Sequence, residues 1–173
     1  MSSSSEVRAI VVVGHGAPAK DTPPELVRRL RMLEAERHKT HAPMSDEERA
    51  LDAKVREWPR TADNDPYRTG IERLVDRVRA HSGNVRVDVA YNEFCAPSLP
   101  DTVDKLVREG KREIVLVATM MTPGGVHSEV EIPELVAELS AKHPLVRIVH
   151  AWPFDLDVVA KVLVAQAEGS FAD

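Results

Sequence analysis

Two histidines on glycine-rich turns carry the chemistry this sequence offers most plainly. His15 follows an apolar run in Ile10-Val11-Val12-Val13-Gly14-His15-Gly16, and His127 closes Met120-Met121-Thr122-Pro123-Gly124-Gly125-Val126-His127. A buried parallel strand ending in a glycine turn holds a side chain at the carboxyl edge of a sheet, where open α/β folds bind ligands. Two imidazoles so placed can face one cleft and share a metal ion or a proton, because neutral imidazole is both a borderline metal ligand and a base near pH 7.

The elements that must position them are legible as alternating strands and helices. Residues 9–13, 85–91, 113–119 and 146–151 are short, β-branched and largely apolar, as buried strands are. Between them lie helical stripes: Leu26, Leu30 and Leu33; Ile71, Leu74, Val75 and Val78; Val103, Leu106 and Val107; Ile132, Leu135, Val136 and Leu139. A last stripe holds Val158, Val159, Val162 and Leu163 and starts at Asp155. Thr22-Pro23-Pro24-Glu25 reads as a capping box, Asp65-Pro66 as an N-cap with proline in the first turn, Ser98 as a further cap and Gly110 as a stop. Strands alternating with helices predict right-handed crossovers and a four-stranded parallel sheet covered on both faces.

One segment breaks the rhythm. Residues 36–64 are strongly charged and poor in β-branched side chains, so they read as a helical insertion within a single domain spanning 1–173. Ser45-Asp46-Glu47-Glu48 is a second capping box, and Leu51, Val55 and Trp58 mark a short amphipathic helix. The expectation is a solvated flap whose apolar residues meet a neighbouring surface. The serines at positions 2–5 are expected to fray.

Composition narrows the class. The 173 residues, 43% hydrophobic and 29% charged, suit one globular domain. A net charge of −5 argues against a general nucleic-acid binder. No apolar run reaches the ~18 residues of a membrane span, and the opening residues lack the apolar core of a signal peptide, so a cytoplasmic protein without membrane partners is expected. Cys95 is the sole cysteine, which excludes an internal disulfide and a cysteine-rich zinc module, and it reads as a small buried hydrophobe.

Gly14-His15-Gly16, the run Ala90-Tyr91-Asn92-Glu93-Phe94-Cys95-Ala96-Pro97-Ser98-Leu99-Pro100, and Gly124-Gly125-Val126-His127 followed by Glu131-Ile132-Pro133-Glu134-Leu135 resemble the small sirohydrochlorin chelatases of the CbiX/SirB type. The likeness covers nearly the whole chain outside the insertion. It implies a chelatase-like half-lobe, an ATP-independent class II chelatase (a lyase) that puts Co²⁺ or Fe²⁺ into a tetrapyrrole such as sirohydrochlorin, and a homodimer. It also implies no permanently bound cofactor, the metal being substrate. Carried over by position, His15 and His127 become the metal-handling imidazoles and Glu93 the accompanying carboxylate. The chain departs from the pattern in carrying Ala17-Pro18 where small members often have Ser-Arg, with Lys20 nearby, and Val126 where a second histidine is common. A porphyrin ferrochelatase-like enzyme and a non-catalytic metal or tetrapyrrole binding protein are the alternatives.

The implied chemistry suits these residue types. A hydrated divalent cation must shed water while two pyrrole N–H protons leave the ring, so the ligands must also accept protons. A carboxylate nearby favours the cation and stabilises an imidazolium. The cage must stay incomplete, since full ligation by protein would trap the ion. A metal-dependent hydrolase would need a firmly held ion, and no His-x-x-x-His pair or aspartate cluster supplies one. Glu131, four residues after His127, is expected to close a capping box from Ser128. His38, His41, His81 and His143 read as solvated, His150 as a satisfied core histidine, and Met120-Met121 as cavity floor or core.

Overall fold

The computed structural model describes residues 6–40 and 42–171, so the N-terminal serines and the reading of His41 lie outside the described residues. The valine-rich segments form four parallel strands: β1 (Arg8–Gly14), β2 (Arg86–Tyr91), β3 (Glu113–Ala118) and β4 (Arg147–His150). Their ends fall within one residue of the predicted ones. The sheet order is β2-β1-β3-β4. Strand alternation splits β1 between two cores. Ala9, Val11 and Val13 pack with Leu99, Val103 and Leu106 of α4 (Leu99–Arg108) and with Ile132 and Leu139 of α5 (Ile132–Lys142). Val12 packs on the other face with Ile71 and Val75 of α3 (Pro66–His81). Both faces are therefore covered, as a parallel sheet requires.

This order places a crevice between β1 and β3. The chain leaves β1 toward β2 over one face and passes from β2 to β3 to β4 over the other, so the loops at the carboxyl ends of the two central strands part. His15 follows the first of these strands and His127 the second.

The caps explain most helix starts. Asp65, Ser98, Ser45 and Asp155 each accept a backbone N–H of the following turn. The Thr22–Glu25 capping box does not form. Helix α1 (Pro24–Thr40) begins two residues later, and the Thr22 hydroxyl is buried without a partner.

The charged insertion is not a solvated flap. Helix α1 runs through residue 36 to Thr40, and α2 (Asp46–Arg56) packs against it. Leu30, Val55 and Phe94 form a third, fully enclosed core flanked by Leu26, Val27 and Leu51. Glu48 is buried and ion-paired with Arg37 at 2.8 Å. Trp58 donates its indole N–H to Asp21 at 3.2 Å. Leu51 and Val55 are thus spent inside the protomer and cannot anchor a partner.

Helix α6 (Leu156–Glu168) shows the converse. Only Val159 is buried, while Leu156, Val158, Val162, Leu163 and Val164 are each more than half exposed. No described helix is long and apolar enough to cross a membrane.

Candidate active site

The turns after β1 and β2 are zipped together by main-chain bonds. Asn92 N–H donates to Gly14 C=O at 2.9 Å, and Glu93 N–H to His15 C=O at 2.8 Å. The approach is so close that a Cβ at Gly16 would lie 1.8 Å from the Glu93 carbonyl oxygen, and Gly16 has φ +94°. Glycine at 16 is therefore what allows His15 and Glu93 to stand side by side. Tyr67 Oη accepts from His15 N–H at 2.8 Å and anchors the turn from α3.

Two arginines of the inserted segment hold the same loops from behind. Arg56 donates to the carbonyls of Asn92 and Cys95 at 2.8 and 2.9 Å. Arg60, almost wholly buried, donates to Ala17 C=O at 2.8 Å, to Phe94 C=O and to the Asp65 carboxylate. Phe94 sits at φ +57°, a left-handed conformation unusual for a bulky side chain. Its buried ring and its carbonyl partner hold it there. Cys95 is buried as expected, its thiol against Ala17 C=O and Asp65, and burial pushes its pKa up.

The third turn is built by a helix distortion. Pro133 has no N–H to give the Glu129 carbonyl, and the chain answers with a single π-type turn over His127–Glu131, closed by Ile132 N–H on His127 C=O. His127 and Glu131 end up side by side, Nδ1 to Oε2 2.7 Å. Glu131 does not cap from Ser128, whose hydroxyl donates to Met120 C=O. Asn92 Nδ2 donates to the same Glu131 oxygen at 2.9 Å, and His38 Nε2 lies 3.8 Å from the other. Burial would raise the Glu131 pKa, but the hydrogen bonds from Asn92 and His127, with the nearby histidines, hold it below the usual range.

His15, Glu93 and His127 meet, with ligand atoms all within 4.8 Å of one another and each side chain half-buried. The two Nε2 atoms are 3.1 Å apart, the rings edge to face, and Glu93 Oε1 is 3.7 Å from His127 Nε2. His15 Nδ1 lies 2.8 Å from Gly16 C=O, an acceptor only. Gly16 C=O and the Glu131 carboxylate each sit against an Nδ1, and where those two nitrogens carry the proton the Nε2 lone pairs face each other, an arrangement that suits a shared cation. At metal–nitrogen bonds of roughly 2.0–2.1 Å, a 3.1 Å spacing subtends roughly 100° at the ion, an ordinary ligand angle. Three ligands from protein leave the remaining positions open.

Acidic groups surround this point. Glu34 of α1 is pushed up to about 7, first by burial and then by the charges of Glu93, Asp52 and Glu48. Beside α1 runs an open groove of about 590 Å³ lined by Pro18, Val27, Met32, Ala35, Arg28 and Arg31. The Arg31 guanidinium stacks 5.3 Å from the Phe94 ring centre.

The other histidines stand apart. His143 Nε2 lies in hydrogen-bond contact with the Asp104 carboxylate at 2.7 Å instead of being solvated. His150 stacks on Trp152 and leaves a buried Nε2 without a partner, so it is not the satisfied core histidine expected, and burial lowers its pKa. Met120 packs on the core and Met121 is exposed. Of the neighbours of this cluster, Asn92 escaped the sequence reading, which assigns Glu131 to a cap despite its spacing of four from His127 and His38 to solvent.

The CbiX family model matches residues 61–168, which include Glu93 and His127. The chain belongs to the CbiX family. Among curated proteins none matches. Solved structures share the fold. The sirohydrochlorin chelatase SirB from Bacillus subtilis subspecies spizizenii, in complex with cobalt, aligns at 18% identity over 93% of this chain and 50% of that one, with a TM-score of 0.53. SirB from Bacillus subtilis with Fe³⁺ aligns at 17% identity over 95% and 48%, TM-score 0.54. A protein described as the cobalamin (vitamin B12) biosynthesis protein CbiX from Marinobacter aquaeolei VT8 aligns at 16% identity over 94% and 97%, TM-score 0.53. This CbiX chain spans about half the length of the SirB chains it matches.

Proposed function

We propose that this protein inserts a divalent metal ion, Co²⁺ or Fe²⁺, into sirohydrochlorin or a similarly carboxylated tetrapyrrole without ATP. The observation that carries the reading is the open three-ligand cluster of His15, Glu93 and His127 at the crevice between the central strands. The two Nε2 lone pairs take the incoming ion as it loses water, and Glu93 offsets its charge. Metal insertion exchanges one M²⁺ for two pyrrole protons. Each imidazole that releases the ion regains a lone pair, so the groups that delivered the metal are free to accept the protons. Arg28 and Arg31 supply along the groove the cations that Ala17-Pro18 lacks, over an apolar floor suited to a flat ring.

The reading includes pairing with a second copy. The chain spans about half the length of the SirB chains it matches, and α6 presents Leu156, Val158, Val162, Leu163 and Val164 as an apolar face that the described residues leave exposed.

The test is an anaerobic absorbance assay crossing sirohydrochlorin, coproporphyrin and protoporphyrin with Co²⁺, Fe²⁺ and Ni²⁺. Insertion into sirohydrochlorin is expected, falling by about 10²-fold or more in His127→Ala and His15→Ala. Faster insertion into a porphyrin would move the substrate, binding without acceleration would make the protein a carrier, and full rates in both variants would place the chemistry elsewhere.

A further inference from the structure

The His127 ring has two candidate partners at Nδ1 that demand opposite protonation. Glu131 Oε2, 2.7 Å away, can only accept and so requires a proton on Nδ1; Asn92 Nδ2, 2.9 Å away, can only donate and would require a bare Nδ1. The second arrangement would put the proton on Nε2, pointing it at His15 Nε2 and Glu93 and closing the ring to a metal ion. The geometry decides between them. Asn92 Nδ2 also lies 2.9 Å from Glu131 Oε2, so its proton has a carboxylate to go to, and a charged acceptor outcompetes a neutral nitrogen. The Glu131 side chain makes no capping bond to the helix it precedes; its carboxylate is spent on His127 and Asn92, with His38 3.8 Å from the other oxygen.

We propose that Glu131 is the positioning residue of this site: by accepting the Nδ1 proton of His127 it fixes the tautomer whose Nε2 lone pair faces His15 and Glu93. Asn92 steadies the carboxylate and is kept from the ring by it. Carboxylates bonded to metal-binding imidazoles orient the ring and raise its basicity, and their loss typically costs 10–100-fold in metal affinity. The inference rests on reading His127 as a ligand of the substrate metal, but its test does not need turnover.

The experiment uses the full chain labelled with ¹⁵N and a Co²⁺ titration followed by visible absorbance, without macrocycle. In the wild type, long-range ¹H–¹⁵N spectra of neutral His127 are expected to show a protonated Nδ1 and a bare Nε2. Glu131→Gln, which can turn its amide to donate, is expected to shift the ring toward the Nε2–H form and to weaken Co²⁺ binding about 10–100-fold. Glu131→Asp, still an acceptor, should keep the wild-type tautomer and recover part of the affinity. A wild-type His127 already in the Nε2–H form overturns the proposal. So does a Glu131→Gln protein that melts like wild type and binds Co²⁺ equally well. Retained Co²⁺ binding in His127→Ala would instead remove the metal-site reading and leave the spectra to judge the tautomer alone.

Discussion

The turns after β1 and β2 are pressed into each other until no atom can be added at Gly16, whereas the turn after β3 stands open: a Cβ at Gly124 or Gly125 would meet nothing within 4 Å. Both sides deliver a ligand to the same point. The His15–Glu93 side is fixed by main-chain bonds and by Arg56 and Arg60, while His127 depends on one π turn and one carboxylate. Under the proposed function that asymmetry is useful, because one rigid wall keeps the geometry while the other can adjust as an ion leaves.

Gly16→Ala tests the rigid side most severely. The new methyl collides with the Glu93 carbonyl and the backbone is left-handed, so the two loops must separate. The expected result is a loss of at least about 3 kcal/mol in urea melts, on the scale of backbone strain added to a steric clash, together with loss of Co²⁺ binding. Wild-type stability would show that the loops part at little cost.

Arg60→Ala is the next largest. It leaves Asp65 buried without its partner and frees the carbonyls of Ala17 and Phe94, and breaking a buried pair in this way costs about 3–5 kcal/mol. If the inserted segment braces the site, metal affinity falls along with stability. A variant that lost stability but bound Co²⁺ normally would reduce the segment to scaffolding.

That bracing role was the part of the molecule least legible in the sequence. The strands and the Asp65, Ser98, Ser45 and Asp155 caps follow from local patterns, since valine runs and short polar caps act over a few residues. The convergence of His15, Glu93 and His127 was legible because each follows a strand and strand ends converge. The work of Arg56 and Arg60 depends on loop carbonyls 34 to 43 positions away, which no periodicity encodes. A charge-rich stretch looked solvated for the same reason: Glu48 is buried because the half-buried Arg37 pairs with it across two helices. Glu131 was misread as a cap because Pro133 replaced an ordinary helix start with a π turn.

Glu34 sits where the inserted helices meet the site, and it gives a pH test of that junction. Its pKa is raised from 4.5 to about 7, first by burial, so the native state keeps a proton that the unfolded chain releases. Stability from this group is present below pH 4.5 and is lost as pH rises through about 7. Glu34→Gln should therefore match wild type near pH 4 and melt higher at pH 8. Equal melting at both values would mean that Glu34 ionises freely in water.

The smallest effect is expected on the open side. Gly125 accepts from Glu129 N–H at 3.0 Å, its φ lies outside the left-handed region and its missing Cβ faces empty space, so alanine fits the native turn. Gly125→Ala should stabilise by about 0.4–1 kcal/mol by narrowing the unfolded ensemble, with Co²⁺ affinity unchanged. Turnover is the informative readout. If His127 must shift as the ion passes to the macrocycle, the stiffer turn slows insertion at saturating metal and leaves Co²⁺ binding alone. If insertion keeps its wild-type rate in this variant, and also in Gly124→Asn, which tolerates the left-handed backbone at that position, the open turn is only a gap in the packing. Both sides of the site would then work as rigid walls.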